Sequence, residues 1–313
     1  MSLATITGGG SFTFRNITDI NANFAALETI DVWVRPQYGN NNGNGLGKYP
    51  LGSYNNAYAT MSGVASILRP GLVIGLEGVL RENYAPPIVN NVTIIGVSDV
   101  PRQATTSGVP NGGGATWLSL ATVANTSALV TVQGQGWTFA NILFNNAATT
   151  AGCVKLSCVG DPPLQADASQ CAFVNCSFTG TNLGIDDAGG SYNTLIDGCE
   201  FFEFQGTGDV AIKSTSTALR LPRKWRILNS RFFANVNHIV APAWLWEIKG
   251  CVFEAATTVN IDFTGGTAPN FVQQNAFAIA AANFDPAGGV TGVSGDAWSN
   301  YLTDAVETGL PAN

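Results

Sequence analysis

Six short segments in the second half of the chain carry one pattern of apolar and polar positions. Each runs apolar, any residue, a turn-type or small residue, a small residue, any residue, then Phe. The segments are 139–144 (FANILF), 173–178 (FVNCSF), 196–201 (IDGCEF), 227–232 (ILNSRF), 248–253 (IKGCVF) and 272–277 (VQQNAF). The closing residues Phe144, Phe178, Phe201, Phe232, Phe253 and Phe277 are 34, 23, 31, 21 and 24 positions apart. A shortest step of 21 to 24 with occasional inserts is a structural period. The first apolar residue and the Phe would point inward from two successive strands, with the intervening residues outward. Asn175, Gly198, Asn229 and Gly250 share the position where a sharp bend needs left-handed backbone dihedrals. Ile142, Cys176, Cys199, Ser230, Cys251 and Asn275 share the next and form a ladder of mostly small side chains. The pattern predicts an all-β, right-handed parallel β-helix: rungs about 4.8 Å apart, each covering the apolar face of its neighbour.

Upstream, Ala57, Met61, Val64, Ala65 and Leu68 recur at helical spacing and predict a capping helix over 54–69, ended by Pro70-Gly71. Leu72 to Leu76 and 92–96 (VTIIG) read as strands of the first coils. Thr18 is placed to N-cap a short helix within 14–28, whose apolar residues Ile17, Ile20, Phe24 and Leu27 are the candidate anchor to a larger particle. The expected organisation is an anchor over 1–36, a Gly/Asn linker over 37–52, the β-helix over 53–283 and an extension over 284–313. The linker glycines lack the strand-to-helix frame of a nucleotide-binding loop.

Composition narrows the chemistry. Charged residues are 11 % of the 313, and the net charge is −7, which argues against nucleic acid. Arg220, Arg223, Lys224 and Arg226 form the one local concentration of cations and read as a solvated loop. No apolar run reaches the roughly 20 residues of a membrane span, and the start lacks a signal peptide, so a product that is not secreted is expected. The 6 Cys lack a CxxC pair and are too few for a disulfide scaffold; no metal or cofactor is expected. Buried ladder thiols are the expectation, with a Cys176–Cys199 bridge as the alternative. The one His, His238, reads as a coil-surface residue.

Three stretches, 69–71 (RPG), 78–82 (GVLRE) and 91–96 (NVTIIG), resemble the opening coils of the pectate-lyase-like β-helix family. The segment around Ile20–Leu27 and the ending 296–311 are similar to the termini of tailed-phage virion proteins. That resemblance implies a structural virion protein: a capsid decoration or cement, or a tail fibre or spike component. It also implies a homotrimer that binds other virion proteins. The alternatives are a tailspike enzyme acting on host surface polysaccharide as lyase or hydrolase, and a non-catalytic carbohydrate-binding adhesin. A lyase would need several acids around Ca²⁺ with a basic partner, a hydrolase two carboxylates across the scissile bond. The candidates are Asp186, Asp187, Asp197, Glu200, Glu203 and Asp209. Asp197 and Glu200 flank a bend and should face solvent, while Asp186-Asp187 read as a polar turn before Ala188-Gly189-Gly190. Trp225, Trp244 and Trp246 are candidate outward aromatics for a subunit or a sugar, with Trp244 and Trp246 on one strand face.

Overall fold

Alternating apolar residues build three long parallel sheets. The computed structural model describes residues 30–37, 57–97, 115–119, 127–147, 150–157, 167–215, 221–266, 270–278, 290–291 and 301–302. Two sheets have nine strands and the third has seven, and successive rungs contribute one strand to each in turn. The fold is a right-handed parallel β-helix, the hand that parallel crossovers take. Candidate anchor residues Ile17, Ile20, Phe24 and Leu27, nearly all of 37–52 and most of 284–313 lie outside the described residues.

The repeat read from the sequence is the register of the sheets. In the first sheet Phe139, Phe173, Ile196, Ile227, Ile248 and Val272 are paired rung on rung. In the second, Phe144, Phe178, Phe201, Phe232, Phe253 and Phe277 form one unbroken column with centroids 5.1, 4.6, 4.8, 4.9 and 4.9 Å apart. The rings lie within 12° of parallel because each is carried at the same point of a rung stacked on the last. Ile185, Ile212, Ile239 and Ile261 line the third sheet. All of these side chains are buried.

Two columns of corners turn on left-handed residues. Asn141, Asn175, Gly198, Asn229, Gly250 and Gln274 carry φ between 48° and 66° at the bend from first to second sheet. Their neighbours in the small-residue ladder, Ile142 through Asn275, are all buried. A second column enters the first sheet: Gly71, Asn91, Gly136, Gln170, Asn193, Lys224 and Leu245. Lys224 and Leu245 gain nothing from φ of 56° and 57° by themselves. Lys224 adopts it because its amide continues the ladder: Asn193 N–H donates to Arg223 O and Lys224 N–H to Trp244 O.

The N-terminal end departs from the expected 54–69 helix. Among its described residues, Met61–Val64 is α-helical, continued by a 3₁₀ turn over Ala65–Ile67. Tyr58 is extended and pairs in parallel with Val34, its N–H donating to Trp33 O. Edge pairing satisfies backbone groups that a longer helix would leave the first strand to solvate. Thr60 then starts the helix, its hydroxyl accepting from Gly63 N–H. That first strand is Val32–Val34, paired with Ile74–Leu76, so the solenoid begins upstream of the 37–52 segment. Glu82 supplies the partners the helix start requires: its carboxylate accepts from Met61 N–H at 2.7 Å and Ser62 N–H at 3.0 Å.

Candidate functional site

The acids of the sequence are distributed over different faces of the coil. Asp186 and Asp187 lie in the strand Leu183–Ala188, not in a polar turn. Leu183, Ile185 and Asp187 alternate onto one face, which was the overlooked signal. Asp187 is therefore fully buried, accepting from Ser191 N–H at 2.9 Å and from the Ser214 hydroxyl. Burial raises its pKa to about 6 against the lowering effect of those bonds from Ser214 and Ser191, with Asp186 also raising it. Asp186 faces outward in register with Lys155 and Lys213. Partial burial raises its pKa, and the two lysines act in the opposite direction.

The remaining candidates are tied into the scaffold too. Asp197 and Glu200 are half-buried; Asp197 accepts from Asn229 Nδ2 at 3.0 Å and Glu200 from Ser177 Oγ at 3.3 Å. Asp209 is buried and closes a tight turn by accepting from Gly206 N–H at 2.7 Å. Glu203 occupies a left-handed corner shared with Ala234 and Ala255. Among the described residues no cluster of three or more His, Cys, Asp or Glu is arranged to hold a metal ion.

His238 is a core residue, not a surface one. It is 0 % exposed, tilted between Phe232 and Phe253 with centroids at 5.7 and 5.8 Å. His238 and Ile239 are both inward because the chain has just turned into the third sheet, where simple alternation fails. Its Nδ1 is 2.9 Å from Asn235 Nδ2, and Asn235 also donates to Phe201 O and accepts from Phe204 N–H. Nε2 meets no partner of bonding geometry. Burial lowers the imidazole pKa to about 3, with the Glu254 backbone pulling the other way.

The tryptophans are also redistributed. Trp225 and Trp246 are fully buried and stacked at 4.7 Å with 4° between planes. Their indole N–H groups donate to Ser191 O and Pro222 O. The left-handed Leu245 breaks strand alternation, so Trp244 stays outside while Trp246 turns in. Cys176 and Cys199 are not joined by a disulfide, and each thiol donates to a carbonyl, of Phe139 and Phe173 respectively. Burial pushes the thiols of Cys153, Cys171 and Cys251 up to about 12.

One outward column remains at the corner between third and first sheets. Tyr192, Arg223 and Trp244 sit on successive rungs, bridged in parallel through the backbone. The Arg223 guanidinium lies 5.5 Å from the Tyr192 ring centroid and 6.0 Å from that of Trp244. Behind them is a buried polar network. Ser169 Oγ donates to Asp167 and accepts from Tyr192 N–H, and the Asp187 cluster holds Ser191. The expected solvated loop is therefore an ordered edge at Arg223, and Arg226 pairs with Glu247 at 2.9 Å; Arg220 lies outside the described residues.

No family model and no curated protein matches the sequence. Solved structures with a similar course of chain include the pectin methylesterase from Aspergillus niger in deglycosylated form, at 14 % identity and a TM-score of 0.49, covering 84 % of this chain and 93 % of that one. Pectin methylesterase from carrot has 15 % identity and a TM-score of 0.49, covering 90 % and 85 %. Alginate lyase from Paenibacillus sp. has 12 % and 0.45, covering 78 % and 95 %. Likeness at this level carries no activity across, since one fold hosts many.

Proposed function

We propose that this chain is a non-catalytic structural protein of a tailed-phage virion, a rigid β-helical shaft that decorates or cements the capsid or forms part of a tail fibre or spike. The observation that supports it best is the employment of the candidate carboxylates. Asp187 holds an internal corner, Asp209 closes a turn, Asp197 and Glu200 bond to neighbouring rungs, and Asp186 lies between two lysines. Catalysis by acids needs two of them converging on a substrate with pKa values set apart for donor and acceptor roles. Here the acids hold turns and neighbouring rungs instead. The virion placement itself draws on the phage-like terminal segments, with residues 1–30 as the particle contact and a homotrimer as the working assembly.

The test has two arms. Purified protein incubated with bacterial surface polysaccharides should release neither reducing ends nor unsaturated uronates; steady turnover would replace the structural reading by the tailspike-enzyme one. Antibody labelling of virions should place the protein on the particle, and a chain lacking residues 1–30 should stay folded but leave the particle unlabelled.

A further inference from the structure

We infer that the Tyr192–Arg223–Trp244 column is an attachment point for an acidic segment of a partner protein, with Arg223 receiving a carboxylate and the two aromatic side chains forming its rim. The inference rests on the structural reading above and gives that shaft a contact surface of its own.

Three observations carry it. The first is the state of the cation. Arg226 and Arg231, on the flat faces of the sheets, are each neutralised by an acid one rung on, Glu247 at 2.9 Å and Glu254 at 2.6 Å. Arg223 occupies the same kind of ladder, but the rungs on either side present Tyr192 and Trp244 instead of acids. Among the described residues it has no carboxylate partner, and both it and Lys224 are exposed. An unneutralised guanidinium on a protein of net charge −7 is a local reversal of field that attracts a carboxylate.

The second is preorganisation. The guanidinium lies between two aromatic side chains, one on the rung to either side, and the backbone beneath is fixed by inter-rung bonds: Arg223 N–H donates to Ser191 O and Trp244 N–H to Pro222 O. A long side chain that is already ordered loses less entropy on binding. Tyr, Arg and Trp are also the residue types that dominate interface energetics when they cluster.

The third separates a peptide from a glycan. Sugar rings stack on open aromatic faces, whereas Arg223 already lies over a face of both rings. A guanidinium flanked by aromatic side chains takes a carboxylate through a charge-assisted pair, which suits an acidic peptide laid along the file.

The experiment uses the full chain and a fluorescein-labelled octaglutamate peptide, read by anisotropy at low salt. Octaglutamine and an oligogalacturonate of eight units serve as parallel probes. Octaglutamate should bind and octaglutamine should not, and Arg223→Gln should weaken octaglutamate binding by about tenfold or more, as loss of a charge-assisted pair requires. Tyr192→Ala and Trp244→Ala should each weaken it severalfold, with thermal unfolding of Arg223→Gln unchanged. Equal affinity for wild type and Arg223→Gln would overturn the inference. So would tighter, Arg223-dependent binding of the oligogalacturonate, or a change of sedimentation coefficient in Arg223→Gln, which would make the occupant a second copy of this chain. The polysaccharide turnover assay and virion labelling do not depend on Arg223, so failure of the structural reading is seen separately.

Discussion

Replacing His238 by Phe removes the one imidazole of the chain from the core while keeping an aromatic ring between Phe232 and Phe253. The folded pKa is depressed from 6.5 to about 3. The stability attached to this group is therefore complete above the unfolded value and lost as pH falls from there toward the folded one. At pH 4.5 the unfolded chain is favoured by protonation of His238 by about 3 kcal/mol. Asp187 acts in the other direction. Its folded pKa is raised from 3.8 to about 6, so its contribution is present below the unfolded value and lost as pH rises through the folded one. Acidifying from pH 7 to 4.5 restores about 2 kcal/mol through Asp187. The two effects nearly cancel in the wild type, and substitution separates them. Equilibrium urea unfolding followed by far-ultraviolet circular dichroism at the two pH values gives the difference directly. Between pH 7 and 4.5, His238→Phe should lose about 2–3 kcal/mol less stability than wild type, whatever its stability at pH 7. Asp187→Asn should lose about 2 kcal/mol more. Parallel pH profiles for wild type and His238→Phe would refute the placement of the imidazole in a core without charge compensation.

Further outcomes follow from the columns. Phe201→Ala, which removes the ring stacked at 4.6 and 4.8 Å on its two neighbours, should cost about 3–5 kcal/mol in urea unfolding, and Phe201→Leu clearly less. Gly198→Ala should lower stability by about 1–2 kcal/mol, since φ is 63° and the new Cβ would lie 2.5 Å from Asn175 Oδ1. Asn229→Gly, at the equivalent corner, keeps the backbone conformation but loses the side-chain bond to Asp197, and should cost about 1 kcal/mol in urea unfolding. A thiol reagent at neutral pH should leave Cys153, Cys171 and Cys251 unmodified in the native protein and label them promptly in urea, because burial keeps them protonated.

How much of the fold was legible depends on what repeats. The Phe column and the Asn/Gly corner could be read because every rung places the same demand on the same position, and six repetitions make a weak preference visible. The corner entering the first sheet is not legible in the sequence, since Lys224 and Leu245 have no preference for positive φ, and Lys224 is held there by a bond to the next rung. The expected cap is too long for a similar reason: Ala57 and Met61 are both buried, but one lies at a bend before the strand-paired Tyr58 and the other in a helix. Of the proposed site residues, Trp225, Trp246, Asp187 and His238 were expected at a surface or a turn and are inside.

The sequence by itself determined that the chain winds in rungs, which residues form the inner columns and where one of its corners bends, because these follow from local periodicity. Only the tertiary structure decided which way each polar or aromatic residue near a corner points. A single left-handed residue reverses strand alternation there, and the amides of Lys224, Asn175, Asn193 and Gly198 bond to carbonyls 20, 22, 30 and 30 residues on, in the next rung. Hence two tryptophans adjacent in the pattern, Trp244 and Trp246, end on opposite sides of the wall, one against the exposed Arg223 and one in the core.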